Sequence, residues 1–190
     1  MRIIGGEARG RRLVAPEGTD TRPTADKTRE SLFNILMRDV PEARVLDLFG
    51  GTGALALEAM SRGATSAVIS DVSVSALKAI QANVRSVMKD RPGVRVMKAD
   101  YRAALKSLAG EAFDLIFLDP PYRLKEAYAI SAQLILEHSL LAPGGILIAE
   151  RSGDTLVTWP KPLSINDTRT YRDTAIDFVV LKDDPTEDNA

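Results

Sequence analysis

An apolar run that ends abruptly at Asp119-Pro120-Pro121-Tyr122 constrains this chain more than any other feature. The run, Phe113-Asp114-Leu115-Ile116-Phe117-Leu118, has the near-continuous hydrophobicity of a strand buried in a parallel sheet. Proline lacks a backbone donor, so the ladder cannot continue through the pair of prolines. The chain must leave the sheet in a stiff loop at its carboxyl edge, where open α/β folds place their ligands. With φ fixed there, the Asp119 carboxylate and the Pro120 carbonyl can face one incoming amine, and Tyr122 offers a flat face for a planar base.

An amine conjugated to an aromatic ring is a poor nucleophile because its lone pair is delocalised. Two acceptors on its hydrogens favour pyramidal geometry and return electron density to nitrogen. Asp119, Pro120, Pro121 and Tyr122 therefore suit a methyl transfer onto such an amine and form the candidate catalytic set. The plain alternative is a proline-rich turn between a strand and a helix.

Upstream lies Val45-Leu46-Asp47-Leu48-Phe49-Gly50-Gly51-Thr52-Gly53, followed by a helical pattern from Ala54. Glycines at Gly50, Gly51 and Gly53 let the backbone approach a ligand at the start of a helix. The spacing also satisfies the dinucleotide fingerprint, with Asp71 at the ~20-residue offset of a ribose-binding acid. This motif alone does not separate a nicotinamide dinucleotide from S-adenosylmethionine. Asp47 separates them: just before the glycines it would repel a pyrophosphate and attract a cationic amino-acid moiety. The amine-directed loop at Asp119 points the same way, towards S-adenosylmethionine.

These motifs join others in a resemblance that runs through nearly the whole chain. Met1-Arg2-Ile3-Ile4-Gly5-Gly6, Gly10-Arg11-Arg12-Leu13, Thr21-Arg22-Pro23-Thr24 and Arg29-Glu30-Ser31-Leu32-Phe33-Asn34 resemble the RsmD-type methyltransferases. The resemblance implies a class I methyltransferase fold and methylation of the exocyclic N2 amine of a guanine in bacterial 16S ribosomal RNA. It also places the segment with Arg22 and Thr24 over the mouth of the active site. Two positions depart from the family pattern: Asp71 stands where Glu is usual, and Arg172 where a turn glycine is common.

Repeated strand–helix alternation predicts an α/β fold with a doubly wound, mostly parallel sheet. Strands are expected at Arg44–Leu48, Ser66–Ser70, Val94–Lys98, Phe113–Leu118 and Ile146–Glu150, the last after a turn at Pro143-Gly144-Gly145. Helices are expected from Thr24, as cap, to Arg38, from Ala54, over a stretch with Val74, Leu77, Ile80, Val84 and Val87, at Arg102–Leu108 and at Glu126–Leu140. A hairpin of Ser164–Tyr171 and Ala175–Leu181 should add an antiparallel edge. Residues 1–40 form a small basic extension of short strands, turns and a helix, 41–182 the catalytic domain, and 183–190 a disordered acidic tail.

The 190 residues, 45% hydrophobic, fit one domain with a sizeable core. With no cysteine and a single histidine, His138, a disulfide is excluded and no metal is expected. No apolar run approaches membrane-spanning length, so a cytoplasmic monomer without a membrane partner is expected. The net charge of −1 hides an asymmetry. Arg2, Arg9, Arg11, Arg12, Arg22, Lys27 and Arg29 outweigh four acids in residues 1–29. Arg9, Arg11 and Arg12 can neutralise phosphates on an exposed arm with few core contacts, or merely keep it solvated. Arg22, Thr24 and Arg172 complete the candidate RNA surface.

Asp71 would hold the ribose or cap the next helix, Asp100 would receive the adenine amine or cap its own helix, and Phe49 lies beside the cofactor or in the core. Glu150 is given a salt bridge with a nearby Arg and no chemistry. The chain thus reads as an S-adenosylmethionine-dependent enzyme whose partner is 16S rRNA or the assembling small subunit. The rivals are methylation of DNA adenine or protein glutamine, a non-catalytic RNA-binding assembly factor, and an NAD-dependent oxidoreductase.

Overall fold

Among the described residues, four strand–helix units, a fifth strand and a closing hairpin build a single sheet of seven strands in the order β3-β2-β1-β4-β5-β7-β6. The computed structural model describes residues 1–16, 23–89, 91–121 and 123–182, with 23–25 in backbone only. Arg22, Tyr122, the Thr24 side chain and the 183–190 tail lie outside the described residues. The elements are α1 (Pro23–Ile35), β1 (Arg44–Asp47), α2 (Ala54–Ser61), β2 (Ser66–Asp71), α3 (Val74–Met88), β3 (Val94–Lys98) and α4 (Tyr101–Ser107). Then follow β4 (Phe113–Leu118), α5 (Glu126–Glu137), β5 (Leu141–Ser152), β6 (Leu163–Tyr171) and β7 (Thr174–Leu181).

The chain steps outward from β1 to β3, then restarts on the other side of β1 with β4. That reversal is the switch point, and it opens a crevice between the carboxyl ends of β1 and β4. The pairs up to β5 are parallel, and β7 runs antiparallel between β5 and β6. Alternation of side chains sends Val45, Leu115, Phe117 and Ile148 to the face carrying α1, α2 and α3. Leu46, Ile116, Leu118 and Leu147 go to the face carrying α4 and α5. The Phe33 ring of α1 lies 6.0 Å from that of Phe117, which seats α1 on β4.

Several boundaries differ from expectation. Pro23, not a Thr24 cap, opens α1, and its preset φ suits the first helical position. The last turn tightens to a 3-10 turn at Leu36–Arg38, leaving Ile35 39% exposed. Val74, first in α3, is exposed as well. β5 begins at Leu141, so the expected Pro143–Gly145 turn becomes an irregular stretch within the strand: its register skips between Phe113↔Leu141 and Leu115↔Ile146. The amino-terminal strands reduce to one antiparallel bridge, Arg2↔Arg12. At the hairpin, Arg172 adopts φ +53, accepting the conformation for which glycine is usual.

Candidate active site

Strand register brings three acids to one place. Asp47 pairs with Phe117 and Ala149 with Leu118, so Asp119 and Glu150 follow on the adjoining ends of β4 and β5. All three line a cavity of about 560 Å³, within the usual range for a ligand site. Phe49, Gly50, Gly51 and Arg172 from the expected set also line it. The Phe49 ring, besides lining the cavity, packs 5.5 Å from that of Tyr101.

The acids are electrostatically uncomfortable. Asp47 is 2% exposed, and burial, helped by the Asp71 charge, pushes its carboxyl up to about 7 against backbone hydrogen bonds that pull it down. Asp119 is exposed along the open cavity that it lines, yet desolvation by the protein around its carboxyl raises it well above its ordinary value. Glu150 and Asp47 add to that rise by like-charge repulsion. Burial raises Glu150 too. Such a cavity is prepared for a cation and for hydrogen-bond donors. Among the described residues, no cluster of His, Cys, Asp or Glu is disposed to hold a metal ion.

The glycine loop is held from below by Asp71, whose two carboxylate oxygens accept the N–H groups of Gly51 at 2.9 Å and Ser73 at 2.8 Å. Ser73, not Asp71, caps α3 by accepting from Ala76 N–H. A Cβ on Gly50 would meet Ile69 Cγ2 at 2.4 Å, so only glycine lets the loop lie against β2. Gly53 opens α2 at φ +75, beneath the loop rather than on the cavity wall. Asp100 caps α4 through the N–H groups of Arg102 and Ala103; it is exposed and outside the cavity lining. Pro120 is buried and Pro121 exposed immediately behind Asp119.

The amino-terminal arm is not the loosely attached segment that its charge suggested. Ile3 and Leu13 are core residues at 0% and 8% exposure. The Glu58 carboxylate, wholly buried on α2, accepts the N–H groups of Ile4 and Gly5 at 2.8 and 2.7 Å and that of Arg62 Nε at 2.8 Å. Asn83 accepts from Val14 N–H and donates to the carbonyls of Val14 and Thr52, which ties the arm to the glycine loop. Met1 reaches the cavity wall, and its sulfur accepts from Thr52 Oγ1 at 3.5 Å. Arg9 and Arg12 stay exposed and Arg11 partly so; among the described residues none of the three forms an ion pair.

Glu150 corrects the sequence reading: the nearby Arg151 pairs with Asp177 instead, at 2.7 Å. The missed signal was regular, since each of the first four strands ends at or runs into an acid (Asp47, Asp71, Asp100 and Asp119) and β5 carries Glu150 near its end. Arg29, 5% exposed on the cavity wall and bonded to the Arg2 carbonyl and Asp26, was also missed. Glu58 and Asn83 gave no signal, because each reads as an ordinary polar residue within a helix.

A crevice at the switch point, a glycine loop after β1 and an Asp-Pro-Pro loop after β4 define a methyltransferase of the class I fold. The chain belongs to the family described as conserved hypothetical protein 95, which matches residues 1–180, and this is the family of the RsmD-type enzymes that the motifs resemble. It is 31% identical to the ribosomal RNA small subunit methyltransferase D of Haemophilus influenzae, over 85% of this chain and 83% of that one. It is 37% identical to the Escherichia coli K12 protein of the same name, over 65% of this chain and 61% of that one. The solved Thermus hypothetical protein TTHA0928 superposes with a TM-score of 0.78 at 29% identity, covering 94% of this chain and 98% of that one.

Proposed function

We propose that this chain transfers a methyl group from S-adenosylmethionine to the exocyclic N2 amine of a guanine in 16S rRNA, in the cytoplasm. The observation that carries the reading is the meeting of Asp119 with Asp47 and the glycine loop in one cavity at the switch point. The residues fit the cofactor: Asp47, Asp119 and Glu150 face a space that the backbone of Gly50 and Gly51 also lines, with Gly50 packed too closely against Ile69 to carry a side chain. S-Adenosylmethionine supplies an electrophilic methyl group on a sulfonium.

Gly50 and Gly51 present backbone to the methionine part, and Asp47 takes its ammonium directly or through water. Asp71 keeps lone pairs free for the ribose hydroxyls while its N–H partners hold it in place. Asp119 and the Pro120 carbonyl receive the two hydrogens of the target amine, with Pro121 stiffening the loop. As nitrogen takes the methyl group it becomes cationic, and the neighbouring carboxylates receive the proton it releases. Tyr122 would stack the unpaired base. Arg9, Arg11, Arg12 and Arg22 would take phosphates, with Thr24 and Arg172 at the rim. Asp100 remains an adenine contact only through the oxygen that its capping bonds leave free.

Mass spectrometry of rRNA nucleosides from cells with and without the gene tests the reading. Loss of one N2-methylguanosine from 16S rRNA, restored by the purified protein and S-adenosylmethionine, is the expected result. An unchanged N2-methylguanosine content, or label appearing in DNA or protein instead, would refute it.

A further inference from the structure

Of the three strand-end acids on the cavity wall, Glu150 is the one that the assignments above leave without a ligand of its own. It lies one register step past the Leu118↔Ala149 pair, beside Asp119, on strands spaced ~4.8 Å apart. Among the described residues its carboxylate forms no ion pair, and Arg151 beside it is turned away to Asp177. Among the described residues, the other charged or titratable groups on this wall are the Met1 amino group, Asp47 from β1, Arg29 from α1, and Tyr171, Arg172 and Asp173 from the hairpin. Arg29 already serves Asp26 and the Arg2 carbonyl. Among the described residues this part-buried carboxylate, raised by its burial, accepts no hydrogen bond, and an incoming ligand is the place to find a donor.

The chemistry of the bases says which ligand. Guanine carries a ring N1–H beside its 2-amine, two donors in a row. Adenine and cytosine carry a ring acceptor beside their amine, which an anionic oxygen repels. We propose that Glu150 accepts the N1–H of the target guanine while Asp119 and Pro120 hold its 2-amine, so that Glu150 selects guanine among the bases. This rests on the guanine-N2 reading of the preceding subsection and names the residue that enforces it.

2-Aminopurine separates the two ideas, since it keeps the 2-amine but has a ring acceptor at N1. Small-subunit rRNA carrying guanine or 2-aminopurine at the mapped target is offered as free RNA and in the reconstituted particle. The wild-type protein should favour guanine by ~10²-fold or more in kcat/KM, as sites built around a hydrogen bond do. Glu150→Gln can turn its amide N–H towards the ring acceptor, and the preference should contract by ~10-fold or more. Cofactor affinity, measured by calorimetry, should stay within about three-fold and shows that the variant is folded. An equal loss on both substrates, which a packing defect would produce, overturns the Glu150 assignment alone. Wild-type protein that leaves guanine unmethylated and labels another base overturns the guanine reading beneath it.

Discussion

The two halves of the carboxyl edge use their acids differently. On the β2–β3 side, Asp71 and Asp100 accept two backbone N–H groups each, fixing the glycine loop and the start of α4. On the β4–β5 side, Asp119 and Glu150 have no such donors among the described residues and are raised above their ordinary values. Asp47 sits between them, buried and raised to about 7. The first half is organised before any ligand arrives, while the second carries unmet hydrogen-bonding capacity that a donor-rich substrate can satisfy. On the proposed reading, binding a base and a cation would return free energy at the acids that burial has raised.

That contrast is broken most severely at Asp119. Asp119→Ala should lower kcat on the order of 10²–10³-fold, the usual loss for a group acting on the reacting atoms. Cofactor affinity should change only a few-fold, because the glycine loop and Asp71 are untouched. Single-turnover methyl transfer with calorimetry on the same variant reads both. Near-wild-type turnover would remove Asp119 from the mechanism.

Asp71→Ala should do the reverse, weakening cofactor binding by about ten- to a hundred-fold through loss of a charge-assisted bond. It also orphans the Gly51 and Ser73 N–H groups, so a lower melting temperature should accompany it. Unchanged binding would reduce Asp71 to support for the loop.

Asp47 gives a pH signature of smaller size. Its carboxyl rises from an ordinary 3.8 to about 7 in the folded protein, so between those values the native state holds a proton that the unfolded chain has released. Stability of the apo protein should therefore fall as pH rises through that window, by at most ~1.4 kcal/mol per pH unit, and level off above it. A cation favours the ionised carboxylate, so cofactor affinity should rise over the same window, by up to ~10-fold per unit near its steepest. The melting-temperature gain from S-adenosylmethionine should be larger at pH 8 than at pH 6. A flat profile in wild type, or one that persists in Asp47→Asn, would move the titration elsewhere.

The half of the site that strands build was legible in the sequence, and the half built by long-range docking was not. An apolar run ending in Asp-Pro-Pro can hardly be anything but a strand end, and glycines after Asp47 mark the loop beside it. The β5 boundary was misplaced because proline and glycine at 143–145 signal a turn, while the sheet absorbs them as an irregularity beside β4. The arm was misread because charge says nothing of where Ile3 and Leu13 bury themselves. Its anchors, Glu58 and Asn83, lie 53 and 69 residues away from the backbone groups they hold. Glu150 escaped because the adjacent Arg151 offered an easier partner, and only the structure shows that Arg151 belongs to Asp177.

The smallest effect on either set of acids should come from the arm's surface. Glu58 and the core residues dock the arm, whereas among the described residues the guanidinium groups of Arg9, Arg11 and Arg12 form no ion pair that would add to that docking. Replacing all three with Ala should change stability by no more than about 0.5 kcal/mol and leave cofactor affinity unaltered. RNA binding should weaken and lose ~2–3 units of its salt slope, since each phosphate contact is worth about 0.7–0.9 units. The variant should still methylate at low salt and high RNA concentration, because the Asp119 loop is untouched. A salt slope equal to wild type would assign these arginines to solvation and leave RNA to the rim at Arg172. A large fall in melting temperature would mean that the guanidinium groups, and not Glu58 with Ile3 and Leu13, hold the arm to α2.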